Sequence, residues 1–167
     1  AKFEKIPPQK LAKLCKISLE RAIKLQKIFL EFVGIPMLQM YKKHSIIPIL
    51  FSDPNYPKSL LDLYDPPAVI YLKGKTELLT NSKKLAIIGS RKATDYSAES
   101  IKAILPPLIQ EKYVIISGLA KGADTLAHQI TMSLGGKTIA VLGTGFFHVY
   151  PKQNLKLATD MEKSQLL

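Results

Sequence analysis

Three short apolar runs in this chain each give way, through glycine, to a helix-period pattern: "KLAIIGSRKATDY", "VIISGLAKGADTLAH" and "KTIAVLGTGFF". The first strand is Lys84 to Ile88. It leads to a helix over Thr94 to Lys112, in which Ile101, Ile104, Leu105, Leu108 and Ile109 recur at i, i+3, i+4, i+7 and i+8. The second strand, Val114 to Ile116, leads to a face of Ala123, Leu126, Ala127, Ile130 and Leu134, closed by Gly135-Gly136. The third strand is Lys137 to Leu142, followed by a helix starting near Gln153. Strands that are apolar without alternation are buried on both faces. Separated by helices, they predict an α/β fold with a mostly parallel sheet and helices on both faces. Pro106-Pro107 falls inside the first helix, where a proline costs about 3 kcal/mol, so a kink or a restart is expected there.

Upstream, the pattern differs. Residues 8 to 33 read as helical, with Leu11, Leu14 and Cys15 at helical spacing. Ser18 is a plausible N-cap for a second helix carrying Ala22, Ile23, Leu25, Ile28, Phe29 and Phe32. Gly34 fits a stop, and Pro36 can open a short helix ending near His44. Residues 1–45 are therefore read as a small all-α module, of the sterile-alpha-motif or helix-hairpin-helix kind, and residues 46–167 as the α/β domain. Between them lies "IIPILFSDPNYPKSLLDLYDPPAVIYLKG", which five prolines divide. It reads as an extended Ile46 to Phe51, a helical turn or two at Lys58 to Leu63, and a strand at Ala68 to Lys73 ending at Gly74 and joining the main sheet. The strands that can be counted are few for an open sheet, so the chain reads as a fragment lacking a C-terminal portion.

Charge narrows the partners. The formal net charge is +11, and residues 1 to 50 carry ten Lys/Arg against three Glu. Such a field favours polyanions. Lys10, Lys13 and Lys16 repeat every three residues and would form a basic helix face, either simply solvated or adding non-specific attraction to DNA. Cys15 is the lone cysteine, which excludes a disulfide framework and fits a reducing cytoplasm. No apolar run is long enough to span a membrane.

In a sheet of this kind ligands bind beyond the carboxyl ends of the strands. Three loops fall there: "GSRKAT" at 89–94, "SGLAKGAD" at 117–124 and "GTGFFHVYPKQN" at 143–154. Glycine allows close approach to a peptide, and the N–H groups opening the next helix favour an anion. Ser90 and Ser117 add hydroxyls, while Arg91 and Lys121 add charge. The chemistry converges on a phosphate. There is no complete G-x-G-x-x-G after the first strand and no P-loop lysine motif. Asp124 and His128 share a helix face at i, i+4. No nucleophile is placed beside them, so a core histidine is the better reading than an acid/base pair. The three histidines lack metal-ligand spacing, and neither a metal nor a cofactor is expected.

"YPKSLLDLYDPPAVIYLKG", "LAIIGSRKATDYS", "VIISGLAKGADTLAH" and "GGKTIAVLGTGFFHVYPKQN" occur in an order that resembles the bacterial DNA-processing protein A family, also called Smf. The likeness runs over residues 48 to 154, and the helices before it resemble that family's variable N-terminal domain. It implies an extended Rossmann-like domain that binds single-stranded DNA without catalysing a reaction. It also implies protection of incoming DNA and loading of the RecA recombinase in natural transformation, by a protein that forms a homodimer when whole. By motif, Ser90, Arg91, Ser117, Gly118, Lys121 and Gly122 would line the phosphate site, closed by Gly143 and Gly145. Three positions depart from the family pattern. Ser97 follows Tyr96 where glycine is usual, Ala123 stands for isoleucine, and Phe147 replaces a common acid. Phe147 thereby offers a stacking ring. Phe146 and Phe147 cannot both enter the core easily, so either one of them stacks on a base or both pack under the loop.

A rival reading is a nucleotide-processing enzyme of the lysine-decarboxylase-like phosphoribohydrolase branch. Those enzymes carry a Pro-Gly-Gly-x-Gly-Thr-x-x-Glu loop, whereas "LGTGF" here has no glutamate after it. A third reading is a basic domain that binds only proteins.

Overall fold

The computed structural model describes residues 6–33 and 37–167. The chain divides into two compact units, Ala1–His44 and Ser45–Leu167.

The first unit contains α1 (Pro8–Cys15), α2 (Leu19–Val33) and α3 (Met37–Lys43). Proline opens α1, where its missing N–H costs nothing. Ser18 caps α2 as expected: its Oγ accepts the Arg21 N–H at 3.2 Å. Leu11 and Ala22 are buried. Lys16 takes a left-handed conformation with φ 51° just past α1, so only Lys10 and Lys13 of the expected basic face lie on the helix. The stop at Gly34 and the start at Pro36 lie outside the described residues.

The second unit begins with β1 (Ile47–Leu50), α4 (Lys58–Leu61) and β2 (Val69–Leu72). Both strands are shorter than expected. They pair antiparallel with each other, Ile47 opposite Leu72. The main sheet is β3 (Lys84–Ala86), β4 (Val114–Ser117) and β5 (Lys137–Ala140), parallel and in that order. Leu166 links the two sheets, bridging to Ile139 of β5 on one side and to Gly74 after β2 on the other.

The helices between the strands are α5 (Asp95–Gln110), α6 (Ala123–Ser133) and α7 (Leu155–Ser164). On one face, Ile115 of β4 packs with Ile101 and Leu105 of α5 and Ala127 of α6. On that side too, Ala140 meets Ala158 and Met161 of α7. Val114 and Ile139 point the other way and join Ile49, Tyr56, Leu72 and Leu78, with Leu60 of α4 against them. Long helices thus cover one face, and short helical turns with the β1/β2 pair cover the other.

No restart occurs at Pro106-Pro107, which α5 carries within one continuous helix. The carbonyls freed by the two prolines belong to Lys102 and Ala103, both exposed, so water can take the lost hydrogen bonds. Meanwhile Ile101 and Leu105 keep the opposite side buried.

Candidate nucleic-acid interface

The three loops lie side by side at the carboxyl edge of the sheet, because β3, β4 and β5 are adjacent and parallel. The first two are stitched together. Gly122 adopts φ +89°, and a side chain there would come within 2.7 Å of the Arg91 carbonyl carbon. Only glycine fits that approach. Beside it the Ala123 N–H donates to the Ser90 carbonyl at 3.1 Å. This donor at the start of α6, expected to face an anion, is therefore taken by the neighbouring loop.

Two other residues picked from sequence are likewise engaged internally. Ser117 is buried, and its hydroxyl donates to the Ile87 carbonyl at 2.7 Å, tying the end of β4 to the end of β3. The Gly118 N–H donates to Oδ2 of buried Asp124 at 3.2 Å. Leu119, with φ 56°, drives its side chain into the cluster beneath α7. The third loop is fastened by Asn154. Its Nδ2 donates to the Leu119 carbonyl at 2.9 Å and to Thr125 Oγ1 at 2.7 Å, while Thr125 Oγ1 donates to the Ala120 carbonyl at 2.6 Å. Sequence reasoning passed over Asn154, which reads as an ordinary cap for the helix it precedes.

His128 sits under this junction, fully buried. Thr138 Oγ1 donates to the Ile115 carbonyl at 2.7 Å, so it accepts from His128 Nδ1 at 2.7 Å. That fixes the proton on Nδ1 and leaves Nε2 without a hydrogen-bond partner among the described residues. Burial pushes the His128 pKa down to about 4, against a smaller upward pull from the Asp124 charge. Asp124 faces the Gly118 amide and His128 faces Thr138, so the two do not form an acid/base pair.

Above the junction lies an open recess of about 420 Å³, lined by Arg91, Lys92, Ala93, Lys121, Gly122, Thr125, Leu126 and Gln153. Three cations meet there and, among the described residues, no carboxylate lines it. Of the residues picked from sequence, the recess gathers Arg91, Lys121 and Gly122. Ser90 is adjacent, its Oγ accepting the Lys92 N–H at 3.0 Å. Lys92 and Gln153 were missed, although each neighbours a loop position already in view. Gly143, Gly145 and Phe147 do not line the recess. They stand further out on the third loop, with no atom within 4 Å of where a side chain would start at either glycine. Phe146 packs into the α7 cluster, whereas Phe147 is 56% exposed.

A family model described as DNA recombination-mediator protein A matches residues 48–167. The chain belongs to this family. DNA processing protein DprA of Bacillus subtilis is 37% identical over 131 residues, covering 78% of this chain and 44% of that protein. The DprA of Streptococcus pneumoniae is 44% identical over 105 residues, covering 63% and 36%. The chain thus spans less than half the length of these curated relatives. Solved structures agree. An X-ray structure of Streptococcus pneumoniae DprA matches with TM-score 0.72 at 30% identity, over 99% of this chain and 63% of that one. DNA processing protein A from Helicobacter pylori, whose structure is described for its single-stranded DNA binding mode, matches with TM-score 0.63 at 30% identity, over 72% and 54%. Among the described residues no helix is long and apolar enough to cross a membrane.

Proposed function

We propose that the recess holds the phosphates of single-stranded DNA. In the whole protein this binding would serve to protect incoming DNA and to help load the RecA recombinase, with the protein acting as a homodimer. The observation that carries the reading is the meeting of Arg91, Lys92 and Lys121 in a recess at the carboxyl edge of a parallel sheet, with no acid among the described residues that line it. A guanidinium takes two phosphate oxygens at once, and two ammonium groups beside it add charge without demanding a fixed geometry. Ser90, Ser117, Gly118 and Gly122 contribute by shaping the floor. Gly143, Gly145 and Phe147 extend the surface outward. The single-stranded DNA binding described for the Helicobacter pylori relative supports the same direction. The phosphoribohydrolase reading lacks a carboxylate in the recess to act on a bound nucleotide.

The test is Arg91→Ala in a salt-titrated binding assay with single-stranded DNA, duplex DNA and a mononucleotide. Affinity should fall for all base sequences alike, because the contact is to backbone. The salt slope should drop by about 0.7, the value for one phosphate contact on a single strand. Stability should change by no more than about 0.5 kcal/mol, since Arg91 is exposed. Normal affinity and slope in the folded variant would remove the recess from the DNA path.

A further inference from the structure

A recess of one arginine, two lysines and a glutamine recognises any phosphodiester, paired or not. Selecting a single strand requires something that reads the open faces of unpaired bases. We propose that Tyr96 and Tyr150 do this, as base-stacking platforms on opposite sides of the recess. This rests on the phosphate reading of the same recess.

Tyr96 is 82% exposed and Tyr150 is 65% exposed. A lone exposed aromatic carries no message. These two share the carboxyl edge of the sheet, and the fold sets their positions. Tyr96 lies in the first turn of α5, on the β3 side. Its turn is held by a reciprocal cap in which the Thr94 N–H donates to Ser97 Oγ at 3.3 Å. Tyr150 lies on the β5 side, between a turn in which the His148 N–H donates to the Gly145 carbonyl at 3.0 Å and the anchored Asn154. Arg91 and Lys92 enter the recess from the Tyr96 loop, Gln153 enters from the Tyr150 loop, and Lys121 comes from between them. β3 and β5 are two strand spacings apart, roughly 10 Å. That is about three stacked nucleotide steps of ~3.4 Å, so the strand ends leave room for phosphates between two outward-turned bases. Exposed rings beside a basic groove are the recurrent way to hold single strands without reading sequence.

The experiment compares a twelve-nucleotide oligothymidylate with an abasic oligonucleotide of the same length, at one salt concentration, using the full chain. Wild type should prefer the thymidylate. Tyr96→Ala and Tyr150→Ala should each weaken thymidylate binding about ten-fold, within the range for one stacked base, and leave abasic binding unchanged. Tyr96→Phe and Tyr150→Phe should restore the preference. Tyr64, fully exposed on the loop after α4, gives a control whose alanine variant should bind normally. The chain has no tryptophan, so tyrosine fluorescence should be quenched by thymidylate and less so in the double alanine variant. Equal wild-type binding of both oligonucleotides, with dependence on Arg91 intact, would overturn the stacking role and leave the phosphate site standing. Binding that ignores Arg91 as well would overturn the site beneath it.

Discussion

The junction of the first two loops and the outer half of the third are both glycine-rich, and both follow strands of the parallel sheet. They differ in what their glycines and polar groups do. At the junction, Gly118 and Gly122 have atoms close to where a side chain would start, and Ser117, Asp124, Thr125 and Asn154 all bond within the protein. On the outer loop, Gly143 and Gly145 have open space, and Phe147 and Tyr150 are exposed. One sequence signal therefore has two physical meanings. The inner glycines let protein backbone approach protein backbone. The outer ones leave backbone uncovered, as a surface that meets a ligand would require.

Replacing Gly122 should produce the largest effect. Gly122→Ala forces a side chain into a positive-φ conformation and against the Ser90–Arg91 backbone. Strain of this kind costs about 3 kcal/mol, and it should appear in urea unfolding at unchanged m-value. DNA affinity should fall with it, because the strain separates Arg91 from Lys121. A variant as stable as wild type would mean that the two loops are not held together by this approach.

The next effect is pH dependence, and it belongs to the junction. In the unfolded chain His128 takes a proton below its ordinary pKa of 6.5, whereas in the fold it stays neutral down to about 4. Between those values the unfolded state binds more protons, so stability falls as pH falls from 6.5 to 4 and levels off below. The shift amounts to about 3 kcal/mol. His128→Leu should lose this slope while Tyr150→Ala keeps it. Equal slopes in wild type and His128→Leu would show that the histidine is not held neutral by burial.

The difference between the two regions also explains what the sequence could reveal. Strand and helix positions follow from periodicity, which is local. Ser18 as a cap and Gly135, with φ 72°, as a stop were visible for the same reason. The β/α order and the quoted motifs pointed to the family, and the match over residues 48–167 bears that out. The polar framework was not legible. Its longest bonds join residues 29 to 35 positions apart, as Asn154 does with Thr125 and Leu119, and no spacing rule encodes them. Ser117 and Lys121 look alike from sequence as loop-end polar groups. Only the fold turns the serine inward to Ile87 and leaves the lysine at the recess. The restart expected at the paired prolines of α5 does not occur, because their cost depends on whether water reaches two particular carbonyls.

The smallest expected effect on stability is the most direct probe of the outer loop. Gly143 does not have a φ in the left-handed window, and nothing lies within 4 Å of where an added methyl group would sit. Alanine can therefore adopt the native backbone there. Its narrower unfolded ensemble should leave Gly143→Ala unchanged or stabilised by up to about 0.5 kcal/mol. A methyl group on uncovered backbone still obstructs anything that comes close to that peptide. If DNA passes over the loop on its way out of the recess, affinity should drop about three-fold to ten-fold while unfolding is unaffected, a loss of roughly 1 kcal/mol in the range of one good contact. Thermal melting and oligothymidylate binding on the same preparation separate the outcomes. Loss of stability would make Gly143 another packing glycine like Gly122. Unchanged stability with unchanged affinity would confine the DNA path to the recess and its two tyrosines, and leave the outer glycines with no part in binding.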